Sequence, residues 1–160
     1  GNSYTNMVAR MLDANIINLG FSGSGKGEPV MAEAIAELDL NAFVMDYDHN
    51  APDVGYLQRT HEPFFRIVRE RHPHLPVLML SRCDFRYDND SAERREVVRA
   101  TYERAQAAGD RKVWFIDGET LFEGPGADGC TVDGCHPNDL GFFRMAEKIY
   151  PVLKEMLEKT

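Results

Sequence analysis

Short apolar runs alternate along the chain with longer stretches in which apolar positions recur every three or four residues. Asn15-Ile-Ile-Asn-Leu19, Asn41-Ala-Phe-Val-Met45, Pro76-Val-Leu-Met-Leu80 and Lys112-Val-Trp-Phe-Ile116 read as strands. They are short, nearly continuous apolar runs, the form taken by strands buried on both faces. Helices are predicted over residues 3–12, 28–38, 54–71, 92–108 and 140–158, with Ser3 placed to cap the first. Pro29 suits the first turn of the second helix, whereas Pro63 should interrupt the third near its start. In the last helix Phe142, Met145, Ile149, Val152 and Met156 mark the packed face.

Strands that alternate with helices imply an α/β fold: a three-layer, doubly wound parallel sheet of the flavodoxin-like kind. In such sheets ligands sit beyond the carboxyl ends of the strands. That places the polar loops 20–27, 46–51 and 118–137 at the site. One feature breaks the pattern, because the helix over residues 3–12 has no strand before it. The expectation is that the fold's first strand lies upstream, leaving unpaired backbone groups in the sheet. An N-terminal segment, a homo-oligomer or direct pairing of the flanking strands would satisfy them.

Composition narrows the partners. A chain of 160 residues with 43% hydrophobic and 28% charged residues suits one soluble domain. A formal charge of −8 argues against nucleic acid or an anionic membrane as the main partner, and no apolar run is long enough to span a bilayer. Gly1-Asn2-Ser3-Tyr4 lacks the features of a signal peptide, so a secreted or periplasmic location follows only if the parent chain carries one. Cys83, Cys130 and Cys135 read as free thiols, although Cys130 and Cys135 share a loop.

The chemistry concentrates in Asp133-Gly134-Cys135-His136. Acyl transfer needs a histidine that takes and returns a proton, and a carboxylate that fixes its tautomer and stabilises its charged form. A two-residue gap in a tight loop lets such side chains meet; alone, the same spacing also suits a helix-capping loop with an incidental histidine. Thr131-Val-Asp-Gly-Cys-His-Pro-Asn-Asp-Leu-Gly-Phe142 resembles the C-terminal motif block of the SGNH (GDSL-type) hydrolases. Asn18-Leu-Gly-Phe-Ser-Gly23 is similar to that family's second block, and Asp46-Tyr-Asp-His-Asn50 stands where its third is expected. The resemblance implies one esterase domain over residues 1–160 that acts on small acyl esters, carbohydrate acetyl esters among them. It implies His136 as base and acid, Asp133 as its orienting carboxylate, and the Gly23 N–H and Asn50 side chain as oxyanion donors. It calls for no cofactor and no metal.

Two departures qualify the match. Asp48-His49-Asn50-Ala51 lacks the glycine and final aspartate of the usual Gly-x-Asn-Asp block. The family nucleophile belongs to a Gly-x-Ser turn before the first helix, which places it upstream of residue 1. Ser22 is the substitute within the chain and Ser24 a weaker one; without either, the chain is an inactive fragment of an esterase.

A rival reading takes Gly20-Phe-Ser-Gly-Ser-Gly25-Lys26-Gly27 as a phosphate-binding loop, with Asp46 as the acidic partner of magnesium. Gly27 occupies the position of the magnesium-binding hydroxyl, which weighs against it. His72 and His74 read as solvated, and Asp84, Asp88 and Asp90 resemble a calcium loop only in acidity. Glu93, Arg94, Arg95 and Glu96 read as an exposed helix face. His49 and His61 read as surface or cleft residues, and Trp114 as core.

Overall fold

The computed structural model describes residues 1–83 and 90–159. Three strands, β1 (Phe43–Met45), β2 (Val77–Leu80) and β3 (Val113–Ile116), form a parallel sheet in the order β1-β2-β3. Phe43 aligns with Val77 and Val77 with Val113. Among the described residues five α-helices surround it: α1 (Tyr4–Leu12), α2 (Pro29–Ala36), α3 (Val54–Arg71), α4 (Ser91–Ala107) and α5 (Asp139–Glu158).

The two faces of the sheet follow from the alternation of side chains along a strand. Phe43, Met45, Val77, Met79, Val113 and Phe115 pack with Ile35, Phe64, Val68 and Val98 of α2, α3 and α4. Val44, Leu78, Leu80, Trp114 and Ile116 pack with Val8 of α1 and Met145, Ile149, Leu153 and Met156 of α5. All four residues of β2 are buried, as a central strand covered on both faces requires. The result is the expected three-layer α/β architecture.

The apolar run 15–19 forms no strand. Residues 14–20 carry no regular structure, and Ile16 and Ile17 are exposed. Asn18 bonds locally instead, donating to the Thr5 hydroxyl at 3.2 Å and accepting from the Gly20 N–H at 2.9 Å. A strand exists only through its ladder, and these residues pair with no described strand. Direct pairing of this run with β1 is therefore not the way the sheet edge is satisfied.

Two helix details also differ from expectation. Pro63 does not interrupt α3, because the single backbone bond it removes is offset by buried Phe64, Phe65 and Val68 around it. Ser3 does not cap α1 through its hydroxyl, which accepts from Asn6 Nδ2 at 2.7 Å instead. None of the described helices is long and apolar enough to cross a membrane.

Candidate active site

The loop before α5 is fixed mostly by its own backbone. Thr131 bridges to Pro137, and the Val132 N–H donates to the His136 carbonyl at 2.9 Å. Asn138 caps α5 by accepting from the Gly141 N–H at 3.1 Å, and its amide donates to the Gly129 carbonyl at 2.7 Å. Gly141 lets the helix reach this loop: a Cβ there would stand 2.2 Å from the Cys130 carbonyl oxygen. The glycine in the first turn of α5 is thus a packing requirement of the site loop.

Within that frame Asp133 and His136 meet. His136 Nδ1 lies 2.7 Å from Asp133 Oδ2, and Asp133 Oδ1 accepts from the backbone N–H groups of His136 at 2.8 Å and Cys135 at 2.9 Å. These bonds, led by the His136 backbone N–H, hold the Asp133 carboxyl down at about 2. The carboxylate is therefore ionised at neutral pH and can only accept, so it favours the tautomer with the proton on Nδ1. Nε2 has no hydrogen-bond partner among the described residues, and the His136 side chain is 75% exposed.

The loop after β1 comes to the same place. Asp48–Asn50 form a 3-10 turn just beyond the carboxyl end of β1, and Cys135 Sγ lies 3.2 Å from His49 Nε2. That contact joins the turn carrying Asn50 to the loop carrying His136. Burial, then Arg82 and Arg94, lower the His49 pKa and favour the neutral ring as partner of the thiol. No described residue takes a hydrogen bond from the Asn50 side-chain amide. Asp48 is buried; its carboxylate accepts from the Arg82 N–H at 3.0 Å, and burial pushes its pKa up to about 7.

The loop 20–27 makes no hydrogen bond to this pair. Ser22 and Gly23 are exposed with φ of +51° and +81°, and no hydrogen bond joins this loop to residues 131–137. The structure thus brings together Asp133, His136 and the Asn50 turn, while Gly23, Ser22 and Ser24 remain outside their hydrogen-bond network.

The phosphate-loop geometry is not met. The Glu28 carboxylate accepts from the Lys26 N–H at 3.0 Å, so an acid occupies a donor that a phosphate would need. A side chain at Gly27 would meet Tyr47, whose hydroxyl stands 2.4 Å from a Cβ there. Asp46 accepts from the Tyr4 hydroxyl at 2.6 Å.

Other candidates are corrected or placed by packing. Arg94 is not part of an exposed face: it is buried, donating to the Asp48 carbonyl at 2.7 Å and the Ala51 carbonyl at 2.8 Å. A charged residue one turn beyond Asp90 carries no signal of that burial. His61 is buried rather than at the surface, stacked on Tyr47 and bonded to Thr101 at 2.9 Å; desolvation pushes it down to about 3. His72 Nε2 lies 2.9 Å from the Ala36 carbonyl oxygen. Trp114 packs against the α1–α5 core. Asp84 and Asp88 lie outside the described residues, and Asp90 pairs with Arg94 at 2.9 Å. All three cysteines are free thiols, with Cys130 buried. Among the described residues no cluster of His, Cys, Asp or Glu is arranged to hold a metal ion.

A parallel three-layer sheet with an Asp–His pair and an asparagine turn beyond its carboxyl ends defines the class. The profile of the GDSL-like lipase/acylhydrolase family matches residues 1–154, and the chain belongs to that family. A structure assigned as a GDSL-like lipase from Bacteroides ovatus is 28% identical with a TM-score of 0.86, covering 99% of this chain and 48% of that one. A salicylyl-acyltransferase from a tetracycline biosynthetic pathway is 22% identical with a TM-score of 0.79, covering 96% and 48%. A family two carbohydrate esterase from Clostridium thermocellum, in complex with cellohexaose, is 18% identical with a TM-score of 0.74, covering 98% and 55%. The last two share the fold. The chain spans about half the length of these structures. The search of curated proteins returns no match.

Proposed function

We propose that this chain carries the acid–base half of a serine-type ester hydrolase acting on small acyl esters. The observation that carries the reading is the Asp133–His136 pair at 2.7 Å, with Nε2 left without a partner beside the Asn50 turn. A serine Oγ attacks the ester carbonyl carbon while His136 Nε2 takes its proton. Asp133 holds the other ring nitrogen and stabilises the imidazolium. The Gly23 N–H and the Asn50 side-chain amide receive the oxyanion. The intermediate collapses as the leaving alcohol takes the proton from Nε2. Water then attacks the acyl-serine by the same route in reverse and frees the carboxylic acid.

The nucleophile in this reading comes from outside residues 1–160. Among the described residues no serine hydroxyl bonds to His136, and the structural neighbours are about twice as long as this chain. A parallel strand added beside β1 would end on the same side as the Asn50 turn, where ligands of such sheets bind. A carbohydrate ester is the substrate class to test first, in line with the carbohydrate esterase that shares the fold. Labelling the intact protein with a fluorophosphonate, followed by peptide mass spectrometry, tests the assignment. The label should fall on a serine beyond these residues and require His136; label on Ser22 would move the nucleophile into the loop 20–27.

A further inference from the structure

We infer that Arg94 is a positioning residue for this reaction, clamping the turn that presents Asn50. The inference rests on the reading of Asn50 as an oxyanion donor. Arg94 comes from α4, far from Asn50 in sequence, yet is only 5% exposed. One of its nitrogens, Nη1, donates to the Asp48 carbonyl at 2.7 Å and to the Ala51 carbonyl at 2.8 Å. These two carbonyls bracket His49 and Asn50. A second, Nη2, pairs with Oδ2 of Asp90, the N-cap of the same helix, at 2.9 Å. The turn is held a second time by Asp48, whose carboxylate accepts at 3.0 Å from the Arg82 N–H just beyond β2.

The arrangement requires arginine. A planar fork can give two hydrogens to two carbonyls while its second amino group meets a carboxylate; an ammonium group has no such fixed geometry. A 3-10 turn of three residues has little internal hydrogen bonding to hold it, here the Asn50 N–H to the Tyr47 carbonyl at 2.9 Å. An oxyanion donor acts only if it is fixed before charge develops. Arg94 supplies that fixity without touching the substrate.

A double-mutant cycle on p-nitrophenyl acetate hydrolysis by the intact protein tests this. Asn50→Ala should lower kcat by about a hundredfold, and Arg94→Met by about tenfold with KM little changed. In the Asn50→Ala background, Arg94→Met should lower kcat by less than about threefold, because the donor it positions is gone. Arg94→Lys should restore only part of the loss. If Arg94→Met does not fold, the cycle is run with Arg94→Lys. Full multiplication of the two single effects, or an unchanged kcat in the folded Arg94 variant, overturns the role of Arg94 alone. An unchanged kcat for Asn50→Ala overturns the oxyanion reading and this inference with it.

Discussion

Asp133 Oδ2 faces His136 Nδ1 at 2.7 Å while its other oxygen accepts the backbone N–H of the same histidine at 2.8 Å. One carboxylate thus sets both the position of the loop and the tautomer of the ring. Replacing Asp133 by asparagine keeps the shape but removes the charge, and an amide can present a donor to the ring. For the intact protein this should lower kcat/KM on p-nitrophenyl acetate by roughly a thousandfold or more, with KM changed far less.

The same bonds set a pH window. Asp133 is held down at about 2, below its ordinary carboxylate range, so its ionised form is favoured by folding. The contact is fully present above the unfolded value and is lost as pH falls through about 2. In an NMR titration the Cys135 and His136 backbone amides should therefore show no carboxylate inflection near pH 4. An inflection there would mean that the pair does not form in solution.

Asp48 has the opposite sign. Its carboxyl is raised to about 7 mainly by burial, with Asp46 adding to the effect and Arg94 and the backbone N–H groups of Arg82 and His49 opposing it. Folding favours the protonated form, so this contribution to stability is present below the unfolded value and is lost as pH rises toward about 7. Asp48→Asn keeps an acceptor for the Arg82 N–H and removes the titration. Its melting temperature relative to the wild type should be higher at pH 8 than at pH 5, measured by calorimetry.

Gly141→Ala probes how the site loop is seated. The added Cβ would stand 2.2 Å from the Cys130 carbonyl oxygen, and backbone cannot yield as a side-chain end does. The cost should be about 1–3 kcal/mol in urea unfolding. Activity should fall further than stability alone explains, because α5 and the loop 131–137 move together.

Local chemistry was the legible part of the sequence. An i,i+3 Asp–His pair before a capped helix depends on neighbouring residues, so its geometry could be read before any contact was known. The strands β1, β2 and β3 were equally plain, since each is a short apolar run packed on both faces, with β2 buried throughout. The run 15–19 has much the same local character and forms no strand, because strand formation depends on a ladder partner that lies elsewhere. Arg94 was illegible for a related reason: its burial is decided by the Asp48 and Ala51 carbonyls, on another element. The nearness of His136 to the Asn50 turn is likewise a matter of topology, made visible here through the Cys135–His49 contact.

The central claim is that His136, aligned by Asp133, carries the proton in ester cleavage. The most direct measurement is kcat/KM of the intact protein and its His136→Ala variant on p-nitrophenyl acetate, with folding of both checked by circular dichroism. A loss of about a thousandfold or more with an unchanged spectrum is expected for the variant. Activity within about threefold of the wild type would contradict it.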